Sequence, residues 1–530
     1  MRRSTSSLAV IGMLLAGLGV AVPASATSAK AATVTPVGKV SEFLTPTANS
    51  GPTMVAAGPD GSMWVTEGDD AVSRIARVSP SGTIAEFSAG ITPGSGPSAI
   101  VAGPDGAMWF TENSDRIGRI TTTGVVTEYS AGMTTGSHPA GIAVGADGAM
   151  WFTENGTSSI GRITKTGVIT EYSAGISPSS ALVGIAAGSD GALWFIELLA
   201  NKIGRIDATT HVVTEYPVLS SNTSPWGITA GPDGALWFTE VAGNRIGRID
   251  PTTKVVTEYA TGITPSSYLL GIAPGPDGAL WFSEAQGDRI GRIDPTTHVV
   301  TEFSTGMAVG GWPTGIAAGP DGAMWFGQDA RPGRIGRITT GLTSAPRAVS
   351  ASARSGAAVV SWAAPTDPGA SLISGYTVTA SPKVGALTRT CHTTGVRSCT
   401  VTGLVNAHAY TFTVKATNTA GTSSASVKSA SIIVGTTSAP RSLAITFPLV
   451  HKATVTWVLP AVLGSGAVTA YQVRWSTNGG LTWSAWVSTR LVRSASRTGL
   501  VKAHVYRVQV RALNHSGAGV AATKVFTQSK

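Results

Sequence analysis

Tryptophan recurs at Trp64, Trp109, Trp151, Trp194, Trp237, Trp281 and Trp325, at separations of 42 to 45 residues. A period of this length restricts the chain to architectures that array one supersecondary unit many times. Each copy places an Asp-Gly pair four residues ahead of its Trp, from Asp60-Gly61 to Asp321-Gly322. Asp-Gly between apolar segments favours a tight hairpin turn, because Gly tolerates the positive φ such turns require. After each Trp comes a polar loop and then a short apolar strand. That strand reads Ile-Gly-Arg-Ile in six copies, first at Ile117 to Ile120, and Arg74-Ile75-Ala76-Arg77-Val78 in the opening copy. A fourth segment carries Glu before an aromatic: Glu86-Phe87, Glu128-Tyr129, Glu171-Tyr172, Glu215-Tyr216, Glu258-Tyr259 and Glu302-Phe303. Four short strands per copy without helical periodicity make one propeller blade and exclude helical or leucine-rich solenoids.

The seventh copy ends at Ile338 without its own Glu-aromatic strand, whereas Glu42-Phe43 stands unpartnered before the first Trp. The N-terminal strand is therefore expected to complete the last blade and close the ring, removing exposed strand edges. Within each blade the loops joining strands one to two and three to four share one face, and both are tight turns. The opposite face receives the loops after each Trp strand and the connections between blades, and binding residues are expected there.

A residue needed once for chemistry has no reason to recur in every blade. Glu67, Glu112, Glu154, Glu197, Glu240 and Glu284, with Gln328 in the last copy, are therefore read as structural. They are expected to pair with repeated arginines such as Arg119, Arg162, Arg205 and Arg248, or to accept loop N–H groups. The repeated Trp residues are read as core between blades. His211 and His298 share a turn register with Lys254 and are expected to be solvated. His138 instead lies alone in an interblade loop of the functional face, and Trp226, Tyr268 and Trp312 interrupt the same loops. These four are candidate ligand-binding residues, able to stack on a sugar ring or clasp a peptide, with interblade packing as the competing reading for the aromatics.

The phrase running from Gly103 to Tyr129, with Asp-Gly, Trp-Phe-x-Glu and Ile-Gly-Arg-Ile in order, resembles the virginiamycin B lyase (streptogramin lyase) family over about residues 37 to 340. The resemblance implies a seven-bladed propeller. Its lyase representatives open the ring ester of a cyclic depsipeptide by elimination, with a histidine base and magnesium. Those lyases begin the last blade with Glu-Pro-His-Gly, where this chain has Trp312-Pro313-Thr314-Gly315. Their sixth blade carries Pro-His, aligned here with Leu269-Leu270-Gly271, and their first blade has a tyrosine at Thr53. A second acidic metal ligand corresponds to Asp329, the fifth candidate ligand-binding residue, but one carboxylate alone makes a weak magnesium site. No catalytic or metal-binding residue is assigned, and no cofactor is expected unless lyase activity with magnesium persists.

After Ile338 the repeat stops, and two successive modules open with Ser344-Ala345-Pro346-Arg347 and Ser438-Ala439-Pro440-Arg441. Trp362, Tyr376, Leu404, Tyr410, Asn418 and Gly421 recur in the second as Trp457, Tyr471, Leu500, Tyr506, Asn514 and Gly517. This order resembles fibronectin type III sandwiches, with Leu-x5-Tyr as the tyrosine corner. The fold expected is all-β: a seven-bladed β-propeller at 37–340 and sandwiches at 344–435 and 438–528. Cys391 and Cys399, the only cysteines, are expected to form a disulfide across a hairpin of the first sandwich.

Arg2 and Arg3, the apolar run from Leu8 to Val22 and Ala24-Ser25-Ala26 read as a signal peptide over 1–26, cleaved on export by the general or twin-arginine route. No later segment has the roughly 18 uninterrupted apolar residues of a membrane span. Charged residues make up 13 % of the chain, too few for a charged disordered protein or a coiled coil. The net charge of +9 comes without a Lys/Arg run, which argues against nucleic acid but permits adsorption to an anionic wall. The sequence therefore predicts a secreted or wall-associated, monomeric binding module for an extracellular peptide, glycan or wall ligand, with a cyclic-ester lyase as the alternative.

Overall fold

The structure, a computed structural model, describes residues 36–529 except 69–72, 222, 384, 386 and 407, so the expected signal peptide at 1–26 lies outside the described residues. Among the described residues no helix is long and apolar enough to cross a membrane.

Seven four-stranded antiparallel sheets form the propeller. The first blade, Pro52–Ala57, Met63–Glu67, Arg74–Val78 and Ile84–Phe87, sets the pattern that the next five repeat. In the seventh, the outermost strand is Val40–Leu44, paired antiparallel with Arg334–Thr339 so that Glu42 faces Gly336 and Phe43 faces Ile335. The ring closes through its N-terminal strand, as the missing seventh Glu-aromatic segment predicts.

The blade core follows from a few repeated side chains. All seven tryptophans are fully buried. Each stacks on the outer-strand aromatic of its own blade, such as Trp109 on Tyr129 at 5.6 Å and Trp325 on Phe43 at 5.6 Å, and packs against the next blade, as Trp64 does with Ile100 and Phe110. Indole Nε1 of Trp109 donates to Asp105 Oδ1 (3.1 Å), and Arg119 Nε donates to Asp105 Oδ2 (2.7 Å) with its guanidinium 5.9 Å from the indole centroid. The Asp of each tight turn thus ties Trp to Arg, satisfying the buried indole N–H and anchoring the partly exposed guanidinium. The expected pairing of Arg119, Arg162, Arg205 and Arg248 with the glutamates is corrected here: they bind Asp105, Asp147, Asp190 and Asp233. His211 and His298 are not simply solvated. They stack at 4.3 and 4.2 Å on Tyr172 and Tyr259 of the preceding blade, and Lys254 covers Trp194 in the same way.

Each sandwich packs a three-stranded sheet on a larger one. Trp362 and Tyr376 anchor one core, Trp457 and Tyr471 the other. The tyrosine corners form, with the N–H of Val405 and Val501 donating to the hydroxyls of Tyr410 and Tyr506. Cys391 and Cys399 are joined, but not within one hairpin sheet. Cys391 pairs with Val378 and Cys399 with Val360, in opposite sheets of the sandwich. Two equivalent joints connect the domains. Asn418 Nδ2 donates to the carbonyls of Gly341 (2.8 Å) and Pro368, and Asn514 Nδ2 to those of Gly435 (3.2 Å) and Leu463. The first joint adjoins the tight-turn face of the ring, where the Asp321-Gly322 turn meets Leu342, Ser344 and Asp367.

Candidate ligand site

The opposite face opens into a central funnel of about 430 Å³, within the range of small-ligand sites. Its floor is a ring of branched aliphatics, one per blade: Val55, Ile100, Ile142, Ile185, Ile228, Ile272 and Ile316, each 7–8 % exposed. The wall is narrow because glycines let the innermost strands approach. A Cβ at Gly141, Gly184, Gly227 or Gly271 would meet a carbonyl oxygen of the next blade at 2.5 to 2.6 Å. Polar groups gather at the mouth, where Ser98, Asn113, His138 and Asn155 join Trp226. A smaller cavity of about 220 Å³ adjoins it through Met54, Ser98, Asn113, Trp226 and Gly271, and reaches Thr53, Leu270 and Thr314.

The residue just before each innermost strand has positive φ in every blade: Gly51, Gly96, His138, Ala181, Ser224, Tyr268 and Trp312. His138, Tyr268 and Trp312 are therefore structural equivalents, a relation the sequence reading missed. For bulky side chains this left-handed backbone is strained, and such strain concentrates at functional positions. It is held by braces from the preceding blade. Asp115 accepts the N–H groups of Gly136 (2.7 Å) and His138 (2.9 Å), and Asp288 accepts those of Gly310 (2.6 Å) and Trp312 (3.1 Å). Burial works to raise the Asp115 carboxyl, but these hydrogen bonds hold it below the ordinary range. Asn201 and Asn244 do the same work for Thr223 and Ser267. The signal for these braces is an Asp or Asn just before Arg/Lys-Ile-Gly-Arg.

The five candidate residues divide into two groups. His138 and Trp226 line the funnel. Tyr268 and Trp312, 40 % and 36 % exposed with rings 5.8 Å apart, form a separate cluster on blades six and seven. Exposed Asp329 adjoins it, its N–H donating to Trp312 O. None of these three lines either cavity. Sequence reasoning missed Asn113 and Asn155, which hold the register of Asp329 in blades two and three. His138 Nδ1 lies 2.7 Å from Asn113 O. A carbonyl only accepts, so the neutral imidazole carries its proton on Nδ1 and leaves Nε2 as an acceptor.

The positions aligned with the lyase machinery have different chemistry. Thr314 Oγ1 donates to Thr53 O (2.8 Å), Leu270 is apolar and Trp312 has no ligating atom. Among the described residues no group of three or more His, Cys, Asp or Glu side chains is placed to hold a metal ion. The residues at these positions do not fit magnesium.

A seven-bladed propeller with a loop-face funnel, carried on tandem sandwiches, defines the class. The virginiamycin B lyase family profile matches residues 23–261 and 208–363, and the fibronectin type III domain matches 344–432 and 438–528. The chain belongs to the virginiamycin B lyase family and carries two fibronectin type III domains. A solved streptogramin B lyase is 36 % identical, covering 57 % of this chain and 97 % of its own, with a TM-score of 0.52. The virginiamycin B lyase of Staphylococcus aureus is 35 % identical over 57 % of this chain and 99 % of its own, also at 0.52. A catalytically inactive variant of that enzyme, solved with quinupristin, is 34 % identical with the same coverage and TM-score. No curated protein matches the chain.

Proposed function

We propose that this protein is an exported, monomeric binding module whose funnel captures a compact peptide or glycan with an apolar side, the sandwiches serving as its stalk. The observation that carries this reading is the state of Thr314, Leu270 and Thr53. They line the smaller cavity where the family resemblance places the base, yet offer a hydroxyl already committed to a backbone carbonyl, an isobutyl group and a second hydroxyl. Elimination needs a base within hydrogen-bond reach and positive charge at the developing anion. The apolar floor with Trp226 and His138 at the mouth instead suits burial of an apolar group with polar anchoring at its edge.

One observation favours the alternative of a lyase with a relocated base: the oriented His138 imidazole, whose Nε2 is an acceptor beside the funnel. Incubation of the purified protein with quinupristin, with and without magnesium, separates the readings. Saturable binding by calorimetry without ring opening by mass spectrometry supports capture. Turnover abolished by His138→Ala supports the lyase.

A further inference from the structure

The net charge of +9 conceals a segregation. Residues 37–340 hold seventeen Lys and Arg against twenty-eight Asp and Glu, whereas residues 341–530 hold eighteen basic residues and a single acid, Asp367. The ring neutralises most of its cations internally, and Arg74, Arg77, Arg119 and Arg337 are typical in binding a carboxylate of their own blade. Among the described residues no ion pair involves a cation of the sandwiches. Asp367 cannot serve them, because it lies in the first joint and accepts the Gly369 N–H.

The uncompensated charge has a focus on the outer face of the second sandwich. The Arg474 guanidinium lies 4.8 Å from Trp483 and 4.5 Å from Trp486, and Arg511 lies 4.1 Å from Trp486. Arg474 Nε donates to Gln509 Oε1 and Arg511 Nε to Gln472 Oε1. The amides and indoles fix both planes, and the remaining guanidinium N–H groups form forks suited to an oxyanion. Two guanidiniums flanking one indole with no carboxylate between them repel one another, which an arriving anion relieves.

We infer that the tandem sandwiches bind an acidic polysaccharide, with Arg474 and Arg511, stacked on Trp483 and Trp486, as the defining contact. Cations lie on both sheets of the modules: Arg347 and Arg441 on the three-stranded sheets, Lys415 and Arg511 on the larger ones. A flexible chain wraps such a distribution, whereas a rigid duplex engages one face at a time. Indole and glutamine amide beside a guanidinium also match a sugar ring bearing a carboxylate or sulfate.

The test uses the full chain against immobilised alginate (carboxylate) and heparin (sulfate), with neutral dextran and duplex DNA alongside. Retention on either acidic polysaccharide but not on dextran, weakening steeply with salt, is expected. Arg474→Gln/Arg511→Gln should weaken it by about tenfold or more, while Arg474→Lys/Arg511→Lys, which keeps charge without the planar fork, should recover only part. Circular dichroism and the tryptophan unfolding transition report whether the second sandwich remains folded. Tighter binding to duplex DNA than to either polysaccharide overturns the partner class. Equal binding by the folded Gln variant overturns the assigned contact. Absence of retention by the unaltered chain overturns the proposal while leaving the funnel reading intact.

Discussion

Gln328 Nε2 donates to the Glu42 carboxylate across 3.0 Å, in the one blade whose residue three after Trp is an amide rather than an acid. In five other blades the corresponding acid, Glu67, Glu112, Glu154, Glu197 or Glu240, is pushed up to about 8, and Glu284 to about 7, chiefly by burial. A neighbouring outer-strand carboxylate such as Glu128 or Glu215 raises them further. Glutamine is the neutral shape of a protonated glutamic acid, and its presence in this register accords with burial favouring the neutral acid in the other blades.

These acids make ring stability pH-dependent. The folded-state pKa lies above the ordinary 4.5, so the folded ring retains protons that the unfolded chain releases. The stabilisation is complete below about 4.5 and is lost as pH rises through 8. Calorimetric Tm of the propeller should fall steadily between about pH 6 and 9. Glu112→Gln should flatten this fall, gaining about 1 kcal/mol over the unaltered chain at the alkaline end. A Tm independent of pH across that window would refute the protonated ring.

Closure through Val40–Leu44 predicts that Phe43→Ala destabilises the ring by about 2 to 3 kcal/mol, since it removes the aromatic stacked on Trp325. Deleting residues 37–46 should abolish the cooperative propeller transition. Loss of the C-terminal strand Gly517–Thr527 should affect only the second sandwich, whose core includes Phe526. Separate calorimetric transitions for ring and sandwiches provide the readout.

At the rim, Trp312→Gly should leave the unfolding free energy, followed by calorimetry, unchanged or raise it by up to about 1 kcal/mol, because Gly51 and Gly96 occupy the same left-handed position in other blades. Trp226→Ala and His138→Ala should weaken quinupristin binding, measured by calorimetry, without unfolding the ring. If binding is unaffected by both, the funnel is not the site.

Reduction of Cys391–Cys399 should lower the stability of the first sandwich by about 2 to 3 kcal/mol, as expected for opening a short loop. The propeller transition should not move. A shared shift would mean that the first joint couples the two domains more tightly than the Asn418 hydrogen bond to Gly341 implies.

Period and pairing were legible in the chain because every blade solves the same packing problem: Trp at 42 to 45 residue spacing and the absent seventh Glu-aromatic strand determine the ring. Side-chain partners were harder to read. Arg119 sits near both Asp105 and Glu112 in sequence, and only the pleat, which puts Arg119 opposite Trp109, decides for the aspartate. His138, Tyr268 and Trp312 looked like isolated interruptions, since their shared register rests on backbone φ rather than residue type. Asn113 and Asn155 escaped notice because nothing local distinguishes a funnel-facing amide from a turn residue. The charge division between ring and sandwiches was legible but disappeared in the chain-wide total.

Asn418 fastens the first sandwich at Gly341, beside the tight turns and across the ring from the funnel. This gives the molecule a heading: were its tail held to a surface, the mouth would look outward, and solutes approaching from the medium would meet it before they met the sandwiches. The same clasp recurs at Asn514, which donates to Gly435 between the two sandwiches.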